Sequence, residues 1–168
     1  MDVFSHALWG GVVAGRKSKK YFWWAFGIGL FPDVASFGIL MAAEFLGLAS
    51  RPDWSAGHPD MSQIPAFVNS LYNFTHSFIS FGLVFLLIWW LLKKPFWPIL
   101  AWGFHIFLDI PSHSFQFFPT PFLWPISHFM VNGISWGENI IFIPNVLFLI
   151  LLYVVWGVSW WKNRKSKL

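Results

Sequence analysis

The stretch PFWPILAWGFHIFLDI, Pro95 to Ile110, is built for lipid except at two positions, His105 and Asp109. They stand four residues apart, which on a helix puts imidazole and carboxylate on one face, one turn from each other. An ionisable group at bilayer depth is expensive and is usually retained for function. Two of them at metal-ligand spacing direct attention to a metal site inside a membrane protein, and the rest of the chain can be read outward from there.

The composition agrees with that starting point. Of 168 residues, 57% are hydrophobic and 11% charged, against roughly 25% charged in a soluble domain. The mean hydropathy is +0.58. The length suits a single integral-membrane domain over residues 1–168, with no room for a separate soluble one. There is no cysteine, so disulfides and thiolate metal ligation are excluded. The opening MDVFSHALWGG has neither a basic n-region nor a small-residue cleavage site, and no removable signal peptide is read in it.

A pI of about 9.6 invites a nucleic-acid reading, but the placement of the charges rejects it. Ten of the eleven Lys and Arg fall in three clusters: Arg16, Lys17, Lys19, Lys20; Lys93, Lys94; and Lys162, Arg164, Lys165, Lys167. Each abuts an apolar segment, as cytoplasmic flanks do, and Trp23, Trp24, Trp89, Trp90, Trp97, Trp160 and Trp161 lie beside them like an aromatic belt. The clusters predict an all-α, polytopic transmembrane bundle. Val3 to Gly15 is a short first helix. Tyr21 to Ser50 runs outward, interrupted at Gly27, Gly29 and Pro32-Asp33. Arg51 to Pro65 is a polar outer loop carrying His58. Ala66 to Leu92 returns inward, Pro95 to Ile110 goes out, and Pro111 limits it. Pro111 to Gly137 packs at the outer interface, and Asn139 to Trp161 returns to the basic tail. That makes about four spanning helices, multi-pass in the cell membrane of a prokaryote, with the C-terminal tail cytoplasmic.

At about 1.5 Å per helical residue, Asp33 lies roughly 20 Å from Lys20, His105 and Asp109 roughly 16 and 22 Å from Lys94, His76 roughly 25 Å from Lys93, and His6 roughly 15 Å from Arg16. In a hydrocarbon core of about 30 Å, these groups fall in the middle to outer half of the bilayer. The short first helix needs shelter inside the bundle. Imidazoles and carboxylates without thiolates suit zinc, manganese or iron. The expected ligands are His6, Asp33, His76, His105, Asp109 and His113, with Thr75 and Ser77 as donors that orient them. For each a bland reading stands beside this one: a structural polar pair at His105 and Asp109, a helix cap at Asp33, a polar helix start at His76. His58 and His128 read as surface or interfacial residues, and Glu44 has no assigned role.

The segments Met1-Asp2-x-x-Ser5-His6-Ala7-Leu8-x-Gly10, Pro32-Asp33, Thr75-His76-Ser77, His105-x-x-x-Asp109 and Phe122-Leu123-Trp124-Pro125 together resemble the membrane-bound, metal-dependent hydrolases of the YdjM-like family. The likeness extends over most of the chain up to the last helix. One stretch departs from it: Leu71-Tyr72-Asn73 stands where members often carry His-Arg-Gly. More distantly, the order His6, Asp33, His76, His105-x-x-x-Asp109, His113 is similar to the ligand order of zinc-dependent phospholipase C and its nuclease relatives. There the final His-x-x-x-acid would fall on His128 and Asn132, which lacks the acid. The resemblance implies a hydrolase with one or two divalent metals, zinc or else manganese. Its expected substrate is a phosphoester of a membrane lipid, with Asp33 as catalytic base. A transporter or channel with a His/Asp relay and a metal-stabilised scaffold are the alternatives. The sequence leaves substrate, metal and oligomeric state open.

Overall fold

The structure of the protein, a computed structural model, describes residues 1–53, 55, 59 and 61–165, the side chains of 163–165 excepted. His58 and Asp60 of the polar loop therefore lie outside the described residues, as do the basic side chains beyond Lys162. The helices are α1 (Val3–Ala14), α2 (Lys19–Asp33), α3 (Ile39–Phe45), α4 (Ala66–Thr75), α5 (Phe78–Leu92), α6 (Leu100–Ser112) and α7 (Asn139–Lys165). A π-helical turn, Val34–Gly38, joins α2 to α3, and 3-10 turns form at Met61–Gln63 and Trp97–Ile99. Among the described residues the fold is all-helical, with one isolated bridge between Ser114 and Phe117.

α1 is the internal element. Asp2 caps it by accepting from the Ser5 amide at 2.9 Å. It buries Ser5, His6, Ala7, Gly10 and Gly11 against α2, α6 and α7. Two glycines set how closely α1 meets α2. A Cβ on Gly10 would lie 2.5 Å from the Ala25 carbonyl oxygen, and one on Gly29 would lie 2.6 Å from that of His6. Gly27 and Gly29 thus do not interrupt α2, as the sequence suggested; Gly29 is where the His6 backbone rests. The irregularity is at Pro32, whose missing N–H breaks the helical ladder. The chain does not stop there but widens into the π turn, with the buried Ser36 hydroxyl donating to the Pro32 and Asp33 carbonyls at 3.0 and 3.2 Å.

A second irregularity had no Pro or Gly to announce it. Residues 66–92 are not one helix: α4 and α5 meet at His76-Ser77 with a bend of 61°. The His76 amide closes α4 on the Tyr72 carbonyl at 2.8 Å. Ser77 opens α5, its hydroxyl accepting from Ile79 and Ser80 and donating to the Trp124 carbonyl. The Phe78 amide is satisfied by the Phe122 carbonyl at 2.9 Å. The apolar segment after α6 therefore fills the break, and it also crosses the end of α6, where Gly133, Ile134 and Trp136 donate to His113, Pro111 and Ser112.

Two helices are long and apolar enough to cross a membrane, Lys19–Phe45 and Asn139–Lys162, and α4 with α5 makes a third if that bent pair is one span. The count of about four included α6, but α6 has 13 residues, roughly 20 Å of helix against about 30 Å of hydrocarbon. Large apolar side chains cover the outside of α5 and α7, among them Leu83, Leu86, Trp90, Ile140, Leu147 and Leu151. Apolar surface on that scale suits an acyl-chain environment better than water. Glu44, unassigned from sequence, pairs with Arg51 at 3.7 Å.

Candidate metal centre

Asp33, His76, His105 and Asp109 come together with one candidate ligand atom each, all within 4.8 Å of one another. Each is delivered by a different local device: the start of the π turn for Asp33, the α4–α5 bend for His76, and successive turns of α6 for His105 and Asp109. All four are buried. Asp109 is the hub. Its Oδ2 lies 3.1 Å from His105 Nε2 and 3.4 Å from His76 Nε2, while its Oδ1 lies 2.9 Å from His6 Nε2 and 3.3 Å from His113 Nε2. Asp33 Oδ1 is 3.6 and 3.8 Å from the Nε2 atoms of His76 and His105. The Met1 amino nitrogen contacts Asp109 Oδ1 and lies 3.0 Å from His113 Nε2. All six residues read as ligands from the sequence thus meet at one place, four as a compact group and His6 and His113 on the other oxygen of Asp109.

The chemistry of this donor set asks for a cation. His105 Nδ1 lies 2.7 Å from the Gly29 carbonyl oxygen, and His76 Nδ1 lies 3.1 Å from that of Tyr72. A carbonyl only accepts, so both Nδ1 atoms are the protonated ones and both neutral rings aim an Nε2 lone pair inward. Those two lone pairs face each other at 3.1 Å, beside two carboxylates. Acceptors crowded in this way repel unless positive charge lies among them. Both nitrogens of His6, Asp33 Oδ2 and Asp109 Oδ2 are also buried without an oriented hydrogen bond. Each orphaned group costs about 1–3 kcal/mol, so four in one cluster is a large burden unless a ligand satisfies them. Two carboxylates with neutral imidazoles carry a formal charge of about −2, which the Met1 ammonium on Asp109 Oδ1 lowers to about −1, and a cation among the facing donors offsets the rest. The residues present fit such a metal.

Ring stacking stiffens the imidazoles. His6 lies on His105 with centroids 3.6 Å apart, and Tyr72 on His76 at 3.8 Å. Tyr72, in the stretch that departs from the family pattern, is fully buried and anchors its hydroxyl on the Phe118 carbonyl at 2.8 Å. Thr75 touches the site as expected, with Oγ1 3.0 Å from His76 Nδ1 and 3.3 Å from the Pro32 carbonyl. Ser77 takes a different role from the one expected: its hydroxyl caps α5 and holds Trp124, and it orients His76 only through the bend. His128 is exposed, and Asn132 accepts from the Phe115 amide at 2.9 Å.

One contributor was missed. Asn145 of α7 is buried, accepts from Trp9 Nε1 at 2.7 Å and donates to Ser5 Oγ at 2.8 Å. It latches α7 to the turn of α1 that presents His6. A lone Asn in the apolar run Ile143-Pro144-Asn145-Val146 was the available signal, since such residues in apolar helices commonly bond across to a neighbour. Comparisons with protein-family models, curated proteins and solved structures return no match to this chain.

Proposed function

We propose that this chain is an integral-membrane, metal-dependent hydrolase, a phosphoesterase acting on a membrane lipid. The observation that carries the reading is the pair of imidazole Nε2 atoms 3.1 Å apart beside two buried carboxylates, a donor set that suits a divalent cation. His105, His76, Asp109 and Asp33 would hold zinc, or manganese, with His6 and His113 completing the far side of Asp109. The metal supplies Lewis acidity toward a phosphoryl oxygen and lowers the pKa of water. The chain's own part is positional. Asp33 is the better exposed of the two carboxylates, 10% against 0% for Asp109, so it is the group we assign to take a proton from an attacking water. The resemblance of Thr75-His76-Ser77 and His105-x-x-x-Asp109 to membrane-bound hydrolases supports the same reading. We place the site in the outer half of the cell membrane of a prokaryote, within a multi-pass bundle whose basic tail is cytoplasmic.

The near-complete burial of the cluster favours one other reading, a metal-stabilised scaffold without turnover. A single preparation separates the two. Protein purified in detergent without chelators should carry stoichiometric zinc or manganese, and with it should release phosphate or a phosphorylated headgroup from phospholipids or isoprenyl phosphates. Asp33→Asn should abolish release and leave the helix content unchanged. Metal-loaded protein inert across that panel points to the scaffold, and protein that binds no metal refutes both.

A further inference from the structure

We propose that the groove between the α1–α2 turn and α7 binds an anionic phospholipid, its phosphate held by Arg16, Lys17 and Lys19 and an acyl chain lying over Gly157. The groove encloses about 550 Å³, within the range of small-molecule sites. It is lined by those three cations with Ser18, and by the aromatic rings of Phe22, Tyr153, Trp156 and Trp160. Among the described residues no acidic side chain lines it. The carboxylates nearest in sequence are engaged elsewhere, Asp2 as the cap of α1 and Asp33 in the metal cluster. The Lys17 ammonium lies 5.2 Å over the Tyr21 ring, and the positive charge here has no carboxylate to neutralise it among the groove's own residues.

The walls are preorganised. Tyr153 donates its hydroxyl to the Leu8 carbonyl at 2.9 Å and so fixes α7 on α1. Phe22 packs against Tyr153 and Trp156 with centroids 6.5 and 5.7 Å apart. Gly157 leaves the space open: a Cβ there would meet nothing within 4 Å. Glycine is a poor residue for the interior of a long helix, so its presence beside a groove calls for a reason. A phosphate end next to an aromatic, apolar trough running along a membrane-crossing helix matches one chemistry, a negatively charged headgroup with its chain. A soluble phosphate would use only half of it. In the second basic cluster Lys93 lies 5.0 Å over the Trp90 ring at the end of α5. The inference rests on α2 and α7 crossing the bilayer and is independent of the metal centre and of any hydrolysis.

The test is native mass spectrometry of the full-length protein in detergent, titrated with dioleoylphosphatidylglycerol and with dioleoylphosphatidylcholine. The anionic lipid should bind at least about tenfold more tightly, since each cation at the headgroup adds to the attraction. Arg16→Gln with Lys17→Gln and Lys19→Gln should lose at least about tenfold in that affinity. Gly157→Leu, which fills the trough without changing charge, should lose several-fold, and it decides the matter alone if the triple variant does not fold. Lys93→Gln with Lys94→Gln should stay within about twofold. Equal loss in that control would reduce the effect to diffuse attraction, and undiminished binding in Gly157→Leu would remove the chain from the groove. Displacement of the lipid by glycerol phosphate would reassign the site to a soluble anion. Each of these three results overturns the proposal.

Discussion

Asp109→Asn distinguishes a metal centre from a purely structural polar cluster, because the loss it causes depends on metal in the first and not in the second. Asp109 offers both oxygens to imidazoles, Oδ2 to His76 and His105 and Oδ1 to His6 and His113. In a metal centre the substitution removes ligand charge. If affinity falls about 100-fold at a metal concentration that saturates the native protein, linkage takes away about 2.7 kcal/mol of stability. For a chain of this size that lowers the unfolding midpoint by roughly 5–10 °C in zinc. In chelator the loss should be smaller. The side-chain amide that replaces the carboxylate can donate to the Nε2 lone pairs that otherwise face each other at 3.1 Å, which offsets the charged partner the Met1 ammonium loses, so the variant should lie closer to the stripped native protein than it does in zinc. If the cluster were instead held by protonated imidazoles against carboxylates, removing Asp109 would strand buried charge and cost about 3–5 kcal/mol with or without metal. Thermal unfolding in detergent, with zinc and with chelator, reads the difference, and elemental analysis of the same samples reports the metal. An equal loss in both conditions, with no metal in the native protein, would refute the reasoning.

Three further outcomes are expected. Gly29→Ala should lower the unfolding midpoint by several degrees and weaken metal binding, because its Cβ would meet the His6 carbonyl oxygen at 2.6 Å and backbone cannot yield, at a cost of about 1–3 kcal/mol; Gly27→Ala, with nothing within 4 Å, should be neutral or stabilising by up to about 1 kcal/mol. Asn145→Leu should cost about 1–3 kcal/mol by stranding Trp9 Nε1 and Ser5 Oγ, and metal titration should show weaker binding through the loosened His6 turn, whereas unchanged affinity would confine the latch to stability. Cysteine at Ser55 should react with a membrane-impermeant maleimide in intact cells and cysteine at Lys94 should not; the reverse labelling would put the polar loop on the cytoplasmic side.

What the sequence made legible was the part of the site that local geometry controls. His105 and Asp109 share a face because α6 is a regular helix between them, so a spacing of four sufficed. Pro32 marked an irregularity correctly, but not its form, because the widened turn depends on where the Ser36 hydroxyl finds carbonyls. The bend at His76-Ser77 was illegible for a different reason. Nothing in Asn73-Phe74-Thr75-His76-Ser77 forbids a continuous helix; the bend exists because Trp124, Phe122 and Trp102 supply partners from far along the chain. Reading 66–92 as one helix followed from weighing local propensity where tertiary partners decide. His113 could not be aimed from sequence either, since its side chain lies past Pro111 and is turned inward by the strap that begins at Gly133. A Cβ on Gly133 would lie 2.2 Å from the Pro111 carbonyl oxygen, so only glycine lets the strap cross there.

The two irregularities are one device. In lipid a broken helix must satisfy its freed carbonyls from within the protein. Here the Pro32 carbonyl, beside the irregular turn of α2, lies 3.3 Å from Thr75 Oγ1 at the end of α4, whose hydroxyl also reaches the Leu71 carbonyl at 2.9 Å. The Thr75 carbonyl, left over where α4 stops, receives Trp102 Nε1 from α6 at 2.5 Å. One turn along, His105 returns from α6 to α2 through Nδ1 on the Gly29 carbonyl at 2.7 Å. The three helices that carry Asp33, His76, His105 and Asp109 are thereby tied to one another, α6 to α4 and to α2 by hydrogen bonds and α4 to α2 by the longer Thr75–Pro32 contact. Groups that would be a liability at bilayer depth become the orienting partners of the ligands. A continuous helix through α4 and α5 would leave the Thr75 carbonyl in its own ladder, with nothing to hold Trp102. The main chain also explains why the imidazoles point their free nitrogens inward: the backbone takes the outer one in both cases. The cluster is therefore held for a cation by main-chain atoms, and substitutions at the ligands themselves should disturb metal affinity more than they disturb the surrounding fold.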